Sequence, residues 1–149
     1  MNANENIQPI SESWNNSYML GIEMIDTQHM KFFLLFDKMQ ILYNNHDSYS
    51  EISDVLNELE KYTHYHFNTE EALMRKAQTS DYEHHISQHK VFIEKIIDFK
   101  IAYNYHNSIL LEQMITFMRK WFLMHISDID RRYVEPVKKY LNEKDNENN

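Results

Sequence analysis

YTHYHFNTEE, Tyr62 to Glu71, sits inside a longer run, Ser50 to Lys76, whose apolar residues recur every three or four positions. That recurrence is the period of an amphipathic α-helix. Ile52, Val55 or Leu56, Leu59, Tyr62 or Thr63, His66, Glu70 and Leu73 fall on one face. The face begins aliphatic and ends in a histidine and a glutamate. His66 and Glu70 are four residues apart, about 40° of rotation and one turn of rise on a helix, so their side chains stack. An imidazole nitrogen and a carboxylate aimed at one point can hold a transition metal, and the second carboxylate oxygen is free to bridge to another. Taken alone the pair is an ordinary feature of solvated helices. The rest of the chain gives it weight.

Outward from this run, three more segments carry the same period. A helix from about Thr27 to Asn45, opened by a cap at Asp26 or Thr27, has the stripe His29, Phe33, Phe36, Met39 or Gln40, and Tyr43. The polar stretch Asn44 to Ser48 closes it. After the Ala77–Ser80 turn, a third helix capped by Ser80 or Asp81 carries His85, His89, Phe92, Ile96, Phe99 and Tyr103. A second polar junction, Asn104 to Ser108, leads to a fourth with Leu111, Met114, Met118 or Phe117, Trp121 and His125. One glycine and two prolines in 149 residues leave little material for hairpins. The expected fold is all-α, an antiparallel up-down four-helix bundle. Residues 1–17 are expected to form an irregular N-terminal arm, tacked on by Trp14. The bundle is expected over 18–140, ending in a short C-terminal helical segment, and a disordered polar tail over 141–149.

Composition excludes several functions. A net charge of -8 argues against nucleic acid and anionic membrane surfaces as partners. The absence of cysteine removes disulfides, thiolate metal sites and Cys-ligated iron–sulfur clusters. The first residues show neither a basic start nor an apolar run, and no stretch approaches eighteen consecutive apolar residues. A cytoplasmic protein without membrane contact is expected.

In an up-down bundle the start of the first helix, the end of the second, the start of the third and the end of the fourth meet at one end. His29, His66, Glu70, His85, His89 and His125 all lie there, each on its apolar stripe. Five imidazoles buried together would need partners that an aliphatic interior cannot supply. Metal ions supply them, and five nitrogens with a bridging carboxylate suit two ions rather than one. A further carboxylate follows the last histidine. Asp130 is five residues on, about 140° round a regular helix, so it faces inward only if the helix ends or deforms after His125. Asp128, three residues on, is its geometric rival. His46, His64, His84 and His106 fall off the stripes or in the junctions.

With those residues in place the chain resembles the hemerythrin family, specifically its stand-alone bacterial members, from about Trp14 to Tyr133. The resemblance rests on Gly21-Ile22, I-D-x-Q-H at Ile25–His29 and H-F-x-x-E-E at His66–Glu71 with Met74. It continues in H-x-x-x-H at His85–His89, Trp121 four before the last histidine, and H-I-x-x-x-D-x-x-Y at His125–Tyr133. It implies one iron held by His85, His89 and His125 and a second held by His29 and His66 with one position open. Glu70 and Asp130, rather than Asp128, would bridge the pair together with an oxo or hydroxo group. Reversible O₂ binding is the implied function, for storage, delivery or scavenging. The O₂ pocket would be walled by Phe33, Phe36, Leu73, Trp121, Phe122 and Ile126. Phe122 departs from the family, which commonly has leucine three residues before the last histidine.

Other functions are weaker expectations. Ferritin-like diiron enzymes use Glu-x-x-His pairs, and the chain has none, so an oxidase, peroxidase or nitric oxide reductase is disfavoured and a non-enzymatic role expected. An O₂ or redox sensor would need a partner protein that the sequence does not name. Related iron–sulfur repair proteins use a cysteine segment that this chain lacks.

Overall fold

The computed structural model describes residues 16–46 and 49–148. Four long helices form its body: α1 (Glu23–Asn45), α2 (Tyr49–Lys76), α3 (Tyr82–Asn104) and α4 (Leu110–Met124). Each packs on two neighbours, α1 on α2 and α4, and α3 on α2 and α4, which closes an antiparallel up-down four-helix bundle. The chain then runs through a π-helical segment, His125–Ile129, and a 3-10 turn, Asp130–Tyr133, into a last helix, α5 (Val134–Glu147), which lies against α2. Among the described residues no helix is long and apolar enough to cross a membrane.

The stripes read from the sequence largely are the buried faces, but at the head of α4 the fully buried residue is Leu110 rather than the expected Leu111, which is half-buried. Met39, Leu59, Met114 and Met118 are fully buried along the bundle, as is Leu110 at the head of α4. At the end away from the histidines, Tyr49 and Tyr103 stack with ring centres 4.4 Å apart, and the Tyr49 hydroxyl donates to the Tyr103 carbonyl at 2.6 Å. This clamp fixes the start of α2 against the end of α3.

Two expected boundaries are corrected. α1 begins at Glu23, four residues before Thr27, and neither Asp26 nor Thr27 caps it. Asp26 instead sits inside the first turns and reaches back, accepting from the Leu20 amide at 2.8 Å and the Gly21 amide at 3.0 Å. The carboxylate thus satisfies the turn before the helix rather than the helix itself. Gly21 makes that turn possible with φ +80°, and a Cβ there would come within 2.7 Å of Lys138 Nζ. The second correction is at the C-terminus. The stretch 141–149 was expected to be disordered, but α5 continues to Glu147. Leu141 packs against the core and extends the Val137 stripe by one turn, which anchors the charged end. Of the expected arm, residues 1–15 with Trp14 lie outside the described residues, and Asn16–Tyr18 is a 3-10 turn.

Candidate metal centre

Why the donors converge follows from the helices that carry them. His29 stands early in α1, His66 and Glu70 late in α2, and His85 and His89 early in α3. The bundle brings those ends together. His125 and Asp130 are placed by the π segment, in which the Asp130 amide donates to the His125 carbonyl, an i→i+5 bond. A π turn accommodates one residue more than an α turn, so a five-residue spacing returns to one face. Asp130 is accordingly fully buried, whereas the side chain of Asp128 is 69% exposed and pairs with Arg132. All seven donor residues are at most 3% exposed. His46, His64, His84 and His106 are exposed.

The donor atoms form two overlapping groups, Glu70, His85, His89, His125 and Asp130 in one and His29, His66 and Glu70 in the other. Within each group they lie inside 4.8 Å of one another. Each carboxylate offers one oxygen to each side. Glu70 Oε1 touches His66 Nε2 and is 3.7 Å from His29 Nε2, while Oε2 is 3.3 Å from His85 Nε2. Asp130 Oδ2 is 3.1 Å from His29 Nε2, while Oδ1 is 3.0 Å from Nε2 of both His85 and His125.

Two imidazoles are held in a defined tautomer. His66 Nδ1 donates to Gln28 Oε1 at 2.7 Å, and His89 Nδ1 donates to Glu71 Oε1 at 2.9 Å. Each bond takes the proton to Nδ1 and leaves Nε2 bare toward the centre, as a metal ligand requires. Gln28 has two further contacts, its backbone carbonyl accepting from the Tyr62 hydroxyl at 2.9 Å and its side-chain Nε2 donating to Thr69 Oγ1 at 3.5 Å. Against this outer order stand the inner atoms. Both nitrogens of His29, both oxygens of Glu70 and of Asp130, and His89 Nε2 are buried without a hydrogen bond. Several lie near opposite charge but lack hydrogen-bond geometry. Buried polar atoms are rarely left so, and a set of imidazole nitrogens and carboxylate oxygens is the donor set of iron and other first-row metals. The residues fit a metal.

The two carboxylates also set the protonation of the histidines around them. Burial works to lower the pKa of His29 and of His85, but Asp130 and Glu70 outweigh it and raise each to about 9. Burial also opposes charge on Glu70 and Asp130, and the surrounding histidines overcome it, holding both carboxyls below their usual range. Burial wins at His66 and His89, which are lowered.

Aromatic rings close the walls. Of the expected pocket residues, Phe33, Phe36, Leu73, Phe122 and Ile126 are buried. Phe122 presents an edge to His29 at 5.7 Å and packs on Phe36 at 5.4 Å and Phe33 at 5.9 Å. Trp121 lies elsewhere than beside His29. It stacks on His125 at 4.3 Å, on the three-histidine side. The sequence reading missed Phe32, which meets Phe122 at 4.6 Å and His66 at 5.2 Å, and Phe67, which stacks on His89 at 3.7 Å. Both follow the helical period from residues already chosen, Phe32 from His29 and Phe67 from Thr63.

Fold and site together define a four-helix-bundle protein with a buried histidine–carboxylate metal-binding cluster. The family model described as "Hemerythrin HHE cation binding domain" matches residues 20–136, and the chain belongs to the hemerythrin family. It is 31% identical over 126 residues to a bacteriohemerythrin of Clostridium acetobutylicum, covering 82% of this chain and 98% of that one. It is 26% identical over 130 residues to a bacteriohemerythrin of Stenotrophomonas maltophilia, covering 87% and 84%. A hemerythrin-like protein of Naegleria gruberi is 26% identical over 125 residues, covering 84% and 92%.

Proposed function

We propose that this protein binds O₂ reversibly at a non-haem diiron centre, in storage, delivery or scavenging rather than as an enzyme. The observation that carries the reading is the unequal division of the donors. Three histidines face one side of the two carboxylates and two face the other. His85, His89 and His125 would hold one iron, His29 and His66 the second, and Glu70 and Asp130 both, with an oxo or hydroxo group between them. The two-histidine side is then one donor short, which leaves room for an external ligand. Bound there, the iron pair would supply the two electrons that reversible O₂ binding draws on.

The chain's own residues prepare that chemistry. Gln28 and Glu71 aim the imidazoles of His66 and His89. Phe32, Phe33, Phe36 and Phe122 line the two-histidine side with buried apolar surface. Such a wall keeps water from a reactive ligand. A donor set rich in imidazole and poor in carboxylate carries little negative charge, which disfavours the high oxidation states of oxidative enzymes.

Anaerobic titration of the metal-free protein with Fe(II), followed by air and then by removal of O₂, tests the reading. Two irons per chain and a visible charge-transfer band that appears with O₂ and vanishes without it are expected. A band that decays irreversibly, faster with peroxide or a reductant, would transfer the protein to the enzymes.

A further inference from the structure

An ion bound for donors that are at most 3% exposed has to cross a wall. On the side of His29 and His66 the wall is phenylalanine, and over His89 it is Phe67; over His125 Trp121 borders a mostly apolar groove of about 610 Å³ that Gln88, His125, Ser127 and Asp128 also line. The wall at the α2–α3 turn differs. There a cavity of about 250 Å³ is lined by Thr79, Ser80, Asp81, His85, Arg132 and Tyr133 among others. Its inner end is His85 and Tyr133, 1% and 2% exposed. Its outer end is Asp81 and Arg132, whose side chains are 34% and 42% exposed. The hydroxyls of Thr79 and Tyr133 are buried without a hydrogen-bond partner. Orphaned hydroxyls beside polar space of this size are what water satisfies.

Arg132 spans the outer end. Its Nη1 is 3.1 Å from Asp81 Oδ2, at the head of α3, and its Nη2 is 3.3 Å from Asp128 Oδ2, in the π segment. We propose that this cavity is the passage by which a divalent cation reaches and leaves the centre, with the Arg132 side chain as its latch. The inference rests on the reading of the cluster as a metal centre. A hydrated cation gives up its waters only against replacement ligands, and an apolar wall offers none. The cavity offers hydroxyls, a carboxylate and then His85, itself one of the donors. With the latch closed, a guanidinium faces the incoming cation and two carboxylates are neutralised. With it open, Asp81 and Asp128 draw the cation in. Partly exposed ion pairs are weakly held, so the latch opens without unfolding the bundle.

Uptake of Co(II) by the metal-free protein, followed by its visible bands, and its removal by a chelator test the passage. Arg132→Ala should speed both on the order of tenfold, the scale of local electrostatic steering. Ser80→Trp, at the exposed turn, should fill the passage and slow both by a similar factor. Both variants should still bind two ions per chain. Rates within about twofold of the parent in both variants, with two ions bound, would overturn the passage while leaving the centre intact. A parent protein that fails to bind two ions would sink the reading of the centre itself.

Discussion

Gln28 and Glu71 touch no inner atom of the centre, yet they decide which nitrogen His66 and His89 present to it. A ligand imidazole whose second nitrogen loses its partner can turn or change tautomer, at a typical cost of about 10–100-fold in metal affinity. Gln28→Ala and Glu71→Ala should each lose affinity in that range, measured by competition with a chelator. Affinities within about twofold of the parent would show that packing alone orients the rings. Phe122 works from the opposite direction. Its ring fills the space between His29 and the phenylalanines of α1, and leucine, a smaller side chain, would leave room there. Phe122→Leu should keep the iron content and cost about 1 kcal/mol of stability. O₂ release or autoxidation should change, and unchanged rates by stopped flow would take Phe122 off the ligand's path.

At the scale of elements, a chain with one glycine must end its helices by other means. α2 ends with Gln78 at φ 54°, the Gln78 amide bonding to the Arg75 carbonyl at 3.2 Å and the Thr79 amide to Met74 at 3.1 Å. α3 repeats the pattern with His106 at φ 53°, bonding to Tyr103, and Asn107 to Ala102. Both are Schellman caps whose left-handed residue is usually glycine. The left-handed strain of a side chain there costs roughly 1–2 kcal/mol, more than the roughly 0.5–1 kcal/mol of extra chain entropy that glycine loses. Gln78→Gly should therefore stabilise the protein by about 0.5–1 kcal/mol, seen as a higher midpoint in denaturant. A lower midpoint would mean that the exposed Gln78 side chain makes a contact worth more than the strain. Helical period showed the four stripes and the convergence of His29, His66, Glu70, His85, His89 and His125, because the first five lie on regular helices and His125 directly follows the last regular turn of α4. Asp130 broke the period, since only a π turn brings it to the face of His125, and the resemblance rather than the spacing singled it out. The start of α1 was misplaced because Asp26 looks like a cap and serves the preceding turn instead. Nor could the chain order assign Gln28 and Glu71. Gln28 adjoins His29 but holds His66, and Glu71 adjoins Glu70 but holds His89; those pairings exist only between helices.

Over the whole molecule the centre is a charge balance that metal rearranges. Without metal at pH 7, Glu70 and Asp130 are ionised, and His29 and His85, raised to about 9, carry the compensating protons. The raised pair stabilises the metal-free fold fully below its unfolded value of 6.5, a contribution lost as pH rises through about 9. The depressed carboxyls contribute above their model values of 4.5 and 3.8, and that part is lost as pH falls through the folded values. The lowered His66 and His89 act the other way, their contribution being lost as pH falls below 6.5, so the centre's groups together place the stability optimum of the metal-free protein around pH 6.5. Metal binding reverses the preference, because an imidazole must be neutral to ligate. Loading at pH 7 should release about two protons per chain, one each from His29 and His85, measurable by calorimetry in two buffers of different ionisation enthalpy. Affinity for the pair of ions should then climb about a hundredfold per pH unit below pH 9 and level off above it. Removing the metal at pH 7.5, where affinity is high and the metal-free fold has begun to lose its histidine contribution, should lower the thermal midpoint by roughly 10 °C. That follows from about 4 kcal/mol of binding linkage at a thousandfold excess over Kd and about 2–4 °C per kcal/mol in a domain of this size. Loading that releases no protons would mean that the two carboxylates are balanced by some group other than His29 and His85.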